Sequence, residues 1–313
     1  MYVFKGAEVE DFTYEGLIEK YNAQRAERFA YIDFVLRFLG GLNRSDLLEF
    51  FGIGDAAASK EISEYKKLRP SNVEYNRALR KNGILRDSFT SLLELDAETA
   101  LGMLANGFNK NKLYDRPMLP YQRVGATPRH LNVEFVSKVT RAIHSKTAIK
   151  CIYISGNSSN HKERMLLPTA FFYDGQSWMF RAFHRDSVSG KGQFKCFEFS
   201  RLQNVIECPG MIANQSETLP QDADWHLVVP LQLTLHPNLP EYKKSTLIQE
   251  FGLDEESGEF VITEKAVLVY YLKKHWKIDV NDQPSSKDGY NFHLKNGETL
   301  KHLHCMENVF KYA

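Results

Sequence analysis

Gly54-Asp55-Ala56-Ala57-Ala58-Ser59-Lys60-Glu61-Ile62-Ser63-Glu64-Tyr65-Lys66-Lys67-Leu68-Arg69-Pro70 decides how the first third of this chain folds. Ala58, Ile62, Tyr65 and Leu68 recur at three- and four-residue steps, which gives one apolar stripe on a helix that Gly54 or Asp55 opens and Pro70 stops. Upstream, Phe29, Ile32, Val35, Leu36 and Leu39 mark an amphipathic helix from Tyr21 to Leu39, ended by Gly40-Gly41. Asn43 with Asp46 three residues on reads as an N-cap with an acidic first turn, opening a short helix through Leu47, Leu48 and Phe51 before Gly52 breaks it. Helix, short helix, tight turn and helix is the order of a helix-turn-helix. Downstream, Asn72 to Leu85 alternates loosely and contains Asn82-Gly83, a hairpin signal, so a basic β-hairpin is expected as a wing.

The whole chain of 313 residues carries a formal charge of only +1. That balance argues against a surface that is basic throughout. The excess is local: Lys60, Lys66, Lys67, Arg69, Arg77, Arg80, Lys81 and Arg86 stand against Glu61, Glu64 and Glu74 alone. On the third helix Ala57, Ser59, Lys60 and Ser63 are the candidate base-reading residues, because small side chains let a helix enter the major groove closely. Arg44 and Lys67 join them as candidate DNA contacts, and Arg77, Arg80 and Lys81 on the wing are expected to meet phosphates or the minor groove. The plainer alternative is a solvated helix and hairpin with no partner.

Beyond the wing, Leu92 to Leu104 is expected to add a short helix, and the Asn-, Pro- and Gly-rich text up to His130 a linker. Leu131 to Ile143 is again helical in pattern. Ala148–Ser155, Arg164–Pro168, Phe171–Asp174, Ser177–Phe183 and Phe194–Arg201 read as short strands spaced as in a small barrel. A mixed C-terminal part follows, with strands at Trp225–Leu235 and Phe260–Thr263 and helices at Lys243–Phe251 and Lys265–Trp276. The expected fold class is α+β. Its parts are a winged helix-turn-helix domain over 1–104, a linker over 105–131, a barrel domain with its preceding helix over 132–210 and a small α/β extension over 211–313.

Cys151, Cys196, Cys208 and Cys305 are scattered without metal-knuckle or disulfide spacing, so they are expected to be reduced and mostly buried in a cytoplasmic protein. Met1 to Asp11 is acidic, and no apolar run reaches the roughly 18 residues of a membrane span. His302, His304 and Cys305 lack a partner cluster, so no metal is expected. Nucleophile-elbow, zinc-protease, phosphate-loop and dinucleotide fingerprints are all missing, which leaves catalysis and cofactors without support. In the first barrel strand Cys151, Tyr153 and Ser155 share a face. Arg181 falls opposite Trp178, and Arg164, Arg181 and Arg201 on adjacent strands are a candidate anion site, each being by itself an ordinary surface arginine.

Gln176-Ser177-Trp178-Met179-Phe180-Arg181-Ala182-Phe183, with Tyr153-Ile154-Ser155, Arg164-Met165-Leu166-Leu167-Pro168 and Ser200-Arg201-Leu202, resembles a WYL domain, Trp178-Met179-Phe180 standing for the name-giving Trp-Tyr-Leu. Leu42-Asn43-Arg44-Ser45-Asp46-Leu47, Ala58-Ser59-Lys60-Glu61-Ile62 and Pro70-Ser71-Asn72-Val73-Glu74-Tyr75-Asn76 are similar to the winged helix of the BrxR/CapW subgroup associated with BREX and CBASS anti-phage systems. Trp225 and Leu235-His236-Pro237-Asn238-Leu239 resemble its terminal extension, expected to dimerise. The resemblance implies a Sm-like barrel whose pocket senses a nucleotide or single-stranded nucleic acid through Tyr153, Ser155, Arg164, Arg181 and Arg201. Lys195-Cys196 stand where the family more usually shows Arg-Asp, and Lys195 joins the candidate ligand contacts. It further implies a cytoplasmic homodimer on a double-stranded, inverted-repeat operator, repressing a phage-defence operon. An accessory protein that senses nucleic acid without operator preference is the alternative.

Base edges specify and phosphates position. Ser59→Ala or Lys60→Ala is therefore expected to lower the preference for a chosen site, while Arg80→Ala or Lys81→Ala weakens all duplex DNA about equally. Each lost phosphate contact flattens the log–log salt dependence by roughly 0.9. A salt titration of binding checks this, and a wing variant that changes one base preference alone contradicts it.

Overall fold

The computed structural model describes residues 12–114, 119–120, 131–156, 161–185, 192–285 and 289–311. The acidic N-terminal stretch and most of the expected linker lie outside these. The chain divides into two compact units, Met1–Phe172 with Trp178–Ala213, and Tyr173–Ser177 with Asn214–Ala313.

The first unit opens with α1 (Tyr14–Tyr21), which the sequence reading did not resolve, and α2 (Ala23–Leu39). Asn22 separates them at φ 83°; its side-chain oxygen accepts from Arg25 N–H at 3.0 Å and its own N–H donates to the Ile18 carbonyl. Almost every position of α2 from Phe29 to Phe38 is buried, so this helix is the axle of the unit. Gly40 ends it in the left-handed region. Then come β1 (Gly41–Leu42), α3 (Arg44–Phe51), α4 (Asp55–Leu68), β2 (Val73–Asn76) and β3 (Lys81–Ile84). Asp46 accepts the Asn43 N–H at 2.7 Å, as its place in the first turn implied.

One turn differs from expectation. Asn82-Gly83 is inside β3, and the wing turns over Arg77–Arg80, with Arg80 at φ 50°. The glycine serves strand approach instead: Gly83 pairs with Gly41, and a Cβ on Gly41 would meet the Asn82 carbonyl oxygen at 2.6 Å.

A buried polar chain locks α4 to α2. The Tyr65 hydroxyl donates to Asp33 at 2.6 Å, Leu92 N–H donates to the same carboxyl oxygen, and Asn72 donates to Tyr65 at 2.9 Å and to the Thr90 carbonyl at 2.7 Å. Burial pushes the Asp33 carboxyl up to about 6, against the lowering by Tyr65, the Leu92 N–H, Arg37 and Arg69. One turn earlier on α4, the buried Glu61 accepts from Arg25 at 3.1 Å and from Arg28 at 3.2 Å. α4 thus reaches α2 through one carboxylate, one phenol and an apolar stripe.

The expected helix after the wing starts later, as α5 (Ala97–Asn106), because Leu92 and Leu93 are extended beside Phe12. α6 (Val133–Ser145) leads into β4 (Thr147–Tyr153), β5 (Glu163–Tyr173), β6 (Trp178–Arg185), β7 (Gly192–Glu198) and β8 (Leu202–Ile212). They form one sheet in the order β7-β6-β5-β4-β8. Among the described residues no pairing joins β7 to β8, so closure of the expected barrel is not observed. Arg164–Pro168 and Phe171–Asp174, expected as two strands, are one β5 running through Pro168. β8 was not expected at all: it is an edge strand paired to β4 with register shifts, and most of its residues are exposed, so its text alternates poorly.

In the second unit β9 (Val228–Leu235) lies between β10 (Glu259–Lys265) and β12 (Phe292–Leu294), with β11 (Ile278–Asp279) parallel to β12. Val229, Leu231 and Leu233 of β9 face the core while Val228, Pro230 and Gln232 are exposed. α7 (Ala223–His226), α8 (Glu241–Phe251) and α9 (Val269–Trp276) complete the framework. Trp225 thus sits on a short helix before the strand, and Lys265 ends β10, where it donates to the Trp225 carbonyl at 3.0 Å. The turn at Leu235–Leu239 is anchored by buried His236 against Asp279 at 3.3 Å. Only Cys151 of the four cysteines is buried, and its burial raises the thiol to about 12.

Tyr65→Phe removes the donor to Asp33 and the acceptor for Asn72, and is expected to cost about 1–3 kcal/mol in denaturant unfolding. For Asp33 the folded value lies above the ordinary 3.8. Its contribution is therefore full below about pH 4 and is lost as pH rises through about 6. The stability of the natural chain relative to Asp33→Asn should fall over that window by about 2–3 kcal/mol. A flat difference between the two contradicts the assignment.

Candidate nucleic-acid interface and the sheet behind it

α4 buries Ala58, Glu61, Ile62 and Tyr65 and turns Lys60, Ser63 and Lys67 to solvent, with Ala57 and Ser59 at the margin. The five residues singled out on this helix therefore lie on the face away from α2. Arg44, at the start of α3, is exposed and donates to Ser59 Oγ at 3.5 Å, which brings the short helix to the same surface. Lys67 forms an exposed pair with Glu64 at 2.7 Å, a contact one turn long that a phosphate can displace at little cost.

On the wing, Arg77 and Arg80 are exposed at the turn, beside an exposed Leu79. Lys81 reaches back, with Nζ 3.5 Å from Nε2 of His144 on α6. Burial, then the Lys81 charge, hold that imidazole below its ordinary value, so it is neutral at pH 7. Beneath the wing, Arg141 of α6 donates through Nη1 to the Arg37 carbonyl at 2.5 Å and through Nε and Nη2 to Glu207 of β8 at 3.0 and 2.7 Å. Arg86, two residues past β3, adds a donor to Glu207 at 3.3 Å. The end of α2, the exit of the wing, α6 and the sheet edge meet at one bidentate carboxylate.

On the sheet, Tyr153, Arg164 and Arg201 come together and Arg181 does not join them. Arg164 lies over the Tyr153 ring at 5.3 Å, in register with Cys151 on the same face. The Tyr153 hydroxyl accepts the Glu198 N–H at 3.1 Å, and Arg201 pairs with the Glu198 carboxylate at 2.9 Å, to which Ser200 also donates. Burial raises the Tyr153 hydroxyl against the lowering influence of that N–H and of Arg201. Ser155 is half-buried two residues beyond Tyr153. Lys195 pairs with Ala182 and, by alternation from Phe197, is on the Tyr153 side. Arg181 pairs with Cys196, whereas its neighbour Phe180 stacks on Phe197, which in turn meets Tyr153. Arg181 is thus on the opposite face and buried, 3.6 Å from Cys196 Sγ and over the Phe194 ring. The expectation of three converging arginines is corrected to two, because Arg181 is one residue out of phase with them.

Sequence reasoning missed Arg141, Glu207 and Glu198. Arg141 carried no usable signal: it falls on the side of α6 away from Val136, Val139 and Ile143, where a charge reads as solvent-facing, and it is buried because that side meets the end of α2 and β8. Glu207 and Glu198 carried none, since both follow from strand registers that pattern alone does not fix. Among the described residues no helix is long and apolar enough to cross a membrane, and no three His, Cys, Asp or Glu side chains are grouped to hold a metal.

Residues 24–106 match the BrxR transcriptional regulator winged helix-turn-helix domain, 134–206 the WYL domain, and 228–300 the BrxR transcriptional regulator C-terminal dimerization domain. The chain is 30% identical over 288 residues to the DNA-binding transcriptional repressor CapW of Pseudomonas aeruginosa, covering 88% of this chain and 90% of that one. It is 27% identical to CapW of Escherichia coli strain KTE188, over 87% and 89% of the two chains, and 25% identical to CapW of Stenotrophomonas maltophilia, over 83% and 86%.

Glu207→Ala leaves Arg141 buried without its carboxylate and is expected to destabilise the fold by about 3–5 kcal/mol. Arg86→Ala, removing the more exposed arm, should cost less than about 1 kcal/mol. Equal losses in urea unfolding would contradict the assignment of the junction to Arg141.

Proposed function

Because the chain belongs to the family of the DNA-binding transcriptional repressor CapW, we propose that it is a homodimeric, sequence-specific repressor, not an enzyme, whose operator affinity is lowered by an effector bound at the WYL sheet. The observation that carries the reading is the exposed face of α4, bare of apolar bulk and flanked by a basic hairpin, in a chain whose domains match that family in order. α4 enters the major groove with Ala57, Ser59, Lys60 and Ser63 at base edges, while Arg44, Lys67, Arg77, Arg80 and Lys81 meet the backbone. The second unit supplies the dimer contact, since one helix reads too few bases to find a site in a genome.

The effector is an anion of the nucleotide or single-stranded nucleic-acid class, held by Tyr153, Ser155, Arg164, Lys195 and Arg201. Its path to the reader is the Arg141–Glu207 contact, which ties β8 and α6 to the end of α2. An effector shifts this equilibrium only through unequal affinity for the two states. The repressor works in the cytoplasm on an operon of phage defence, the setting the BrxR/CapW resemblance implies.

Footprinting on the DNA upstream of its own gene tests the reading. The expected result is protection of an inverted repeat whose half-site centres lie about one helical turn, or a multiple, apart. At fixed salt that DNA should be preferred over random duplex by at least about a thousandfold. Equal affinity for both would replace the repressor by an accessory protein without operator preference, and light scattering that shows a monomer free and on DNA would remove the dimer.

A further inference from the structure

Between the wing and the C-terminal end of α6 lies a cavity of about 670 Å³, within the range of small-molecule sites. Its apolar part is Leu39, Tyr75, Leu79, Ile84 and Leu85, and its polar wall holds Arg77, Lys81, Arg86, Arg141 and His144 against a single lining carboxylate, Glu74. Arg86 and Arg141 are already engaged by Glu207. Lys81 instead faces His144, whose neutral imidazole supplies no counter-charge, and Arg77 is exposed at the mouth. The last carbonyls of α6 are capped by the Lys146 N–H, and Ser145 is occupied with the Arg141 carbonyl and Thr147. The unneutralised positive charge is therefore on the wing side of the cavity.

We propose that this cavity binds a small phosphorylated molecule of nucleotide size, its phosphates on Arg77 and Lys81 and its remaining bulk against Tyr75, Leu39 and Ile84. The site is separate from the Tyr153–Arg164–Arg201 cluster and goes beyond the effector reading above. Its effect on DNA binding rests on the proposed function: Arg77 and Lys81 cannot serve a bound phosphate and a DNA phosphate together. The occupant acts on general DNA affinity by withdrawing two backbone contacts, which flattens the salt dependence by about 1.8 in the log–log slope.

Calorimetric titration of the full chain with ATP, without DNA, tests the site. The Arg77→Ala/Lys81→Ala double variant should bind ATP at least about tenfold more weakly, the loss of charge-assisted contacts to phosphate. Glu74→Gln should bind it more tightly than the natural chain, a gain that misfolding cannot produce. The comparison is repeated in an Arg164→Ala background, which takes nucleotide binding at the Tyr153–Arg164–Arg201 cluster out of the titration, and the same difference of about tenfold is expected there. ATP should also raise the dissociation constant for random duplex DNA in the natural chain and not in the double variant. Absence of ATP binding at millimolar concentration in the Arg164→Ala background, or full binding by the double variant in that background, overturns the site. These outcomes are read without an operator, so they stand apart from the success or failure of the repressor reading.

Discussion

Arg141 is the contact around which the first unit is arranged. A guanidinium only 6% exposed cannot remain charged in a protein interior unless each edge finds an acceptor. Here one edge goes to a main-chain carbonyl at the end of α2 and two go to Glu207 on β8. Gly40 lies beside this contact and ends α2 in the left-handed region at φ 83°, a conformation that favours glycine. A buried ion pair contributes little net stability against an apolar replacement, but it fixes geometry, since only one arrangement satisfies all its partners. The helix that opens the WYL domain is thereby held at one angle to the helix that carries the reader.

The reader solves a second constraint. The role proposed for α4 in the major groove requires one face free of packing, so its other face has to supply all the anchorage. α4 does this with the apolar stripe, the Glu61 pair to Arg25 and Arg28, and the Tyr65–Asp33 bond. Placing a carboxyl at Asp33 that is pushed up to about 6 costs stability at neutral pH, yet it collects donors from α4 and from the segment after the wing in one place. The wing is positioned from the same centre, because Asn72, which donates to Tyr65, immediately precedes β2.

Much of the reader was legible because its signals are local. Gly40, Asn43 with Asp46, Gly52 and Pro70 punctuate the helices where the structure does, and the period of Ala58, Ile62 and Tyr65 names the buried side of α4. The wing was placed correctly while its turn was not, since Asn82-Gly83 serves a close approach of β1 that no local pattern announces. The sheet was less legible. Arg164 and Arg181 look alike in sequence, and only the register of Phe180 against Phe197 separates their faces. Edge strand β8, and with it Glu207, was invisible because an exposed edge does not need alternation.

In the proposed function the reader and the WYL sheet respond to each other through Arg141 and Glu207, and coupling of this kind is reciprocal. It is tested most directly by native-state hydrogen exchange with and without the footprinted DNA. Binding at α4 should slow exchange in residues 137–145 of α6 and 202–208 of β8 in the natural chain, and Glu207→Gln should bind the same DNA without that distant protection. Protection confined to residues 44–84 in both proteins would contradict the claim.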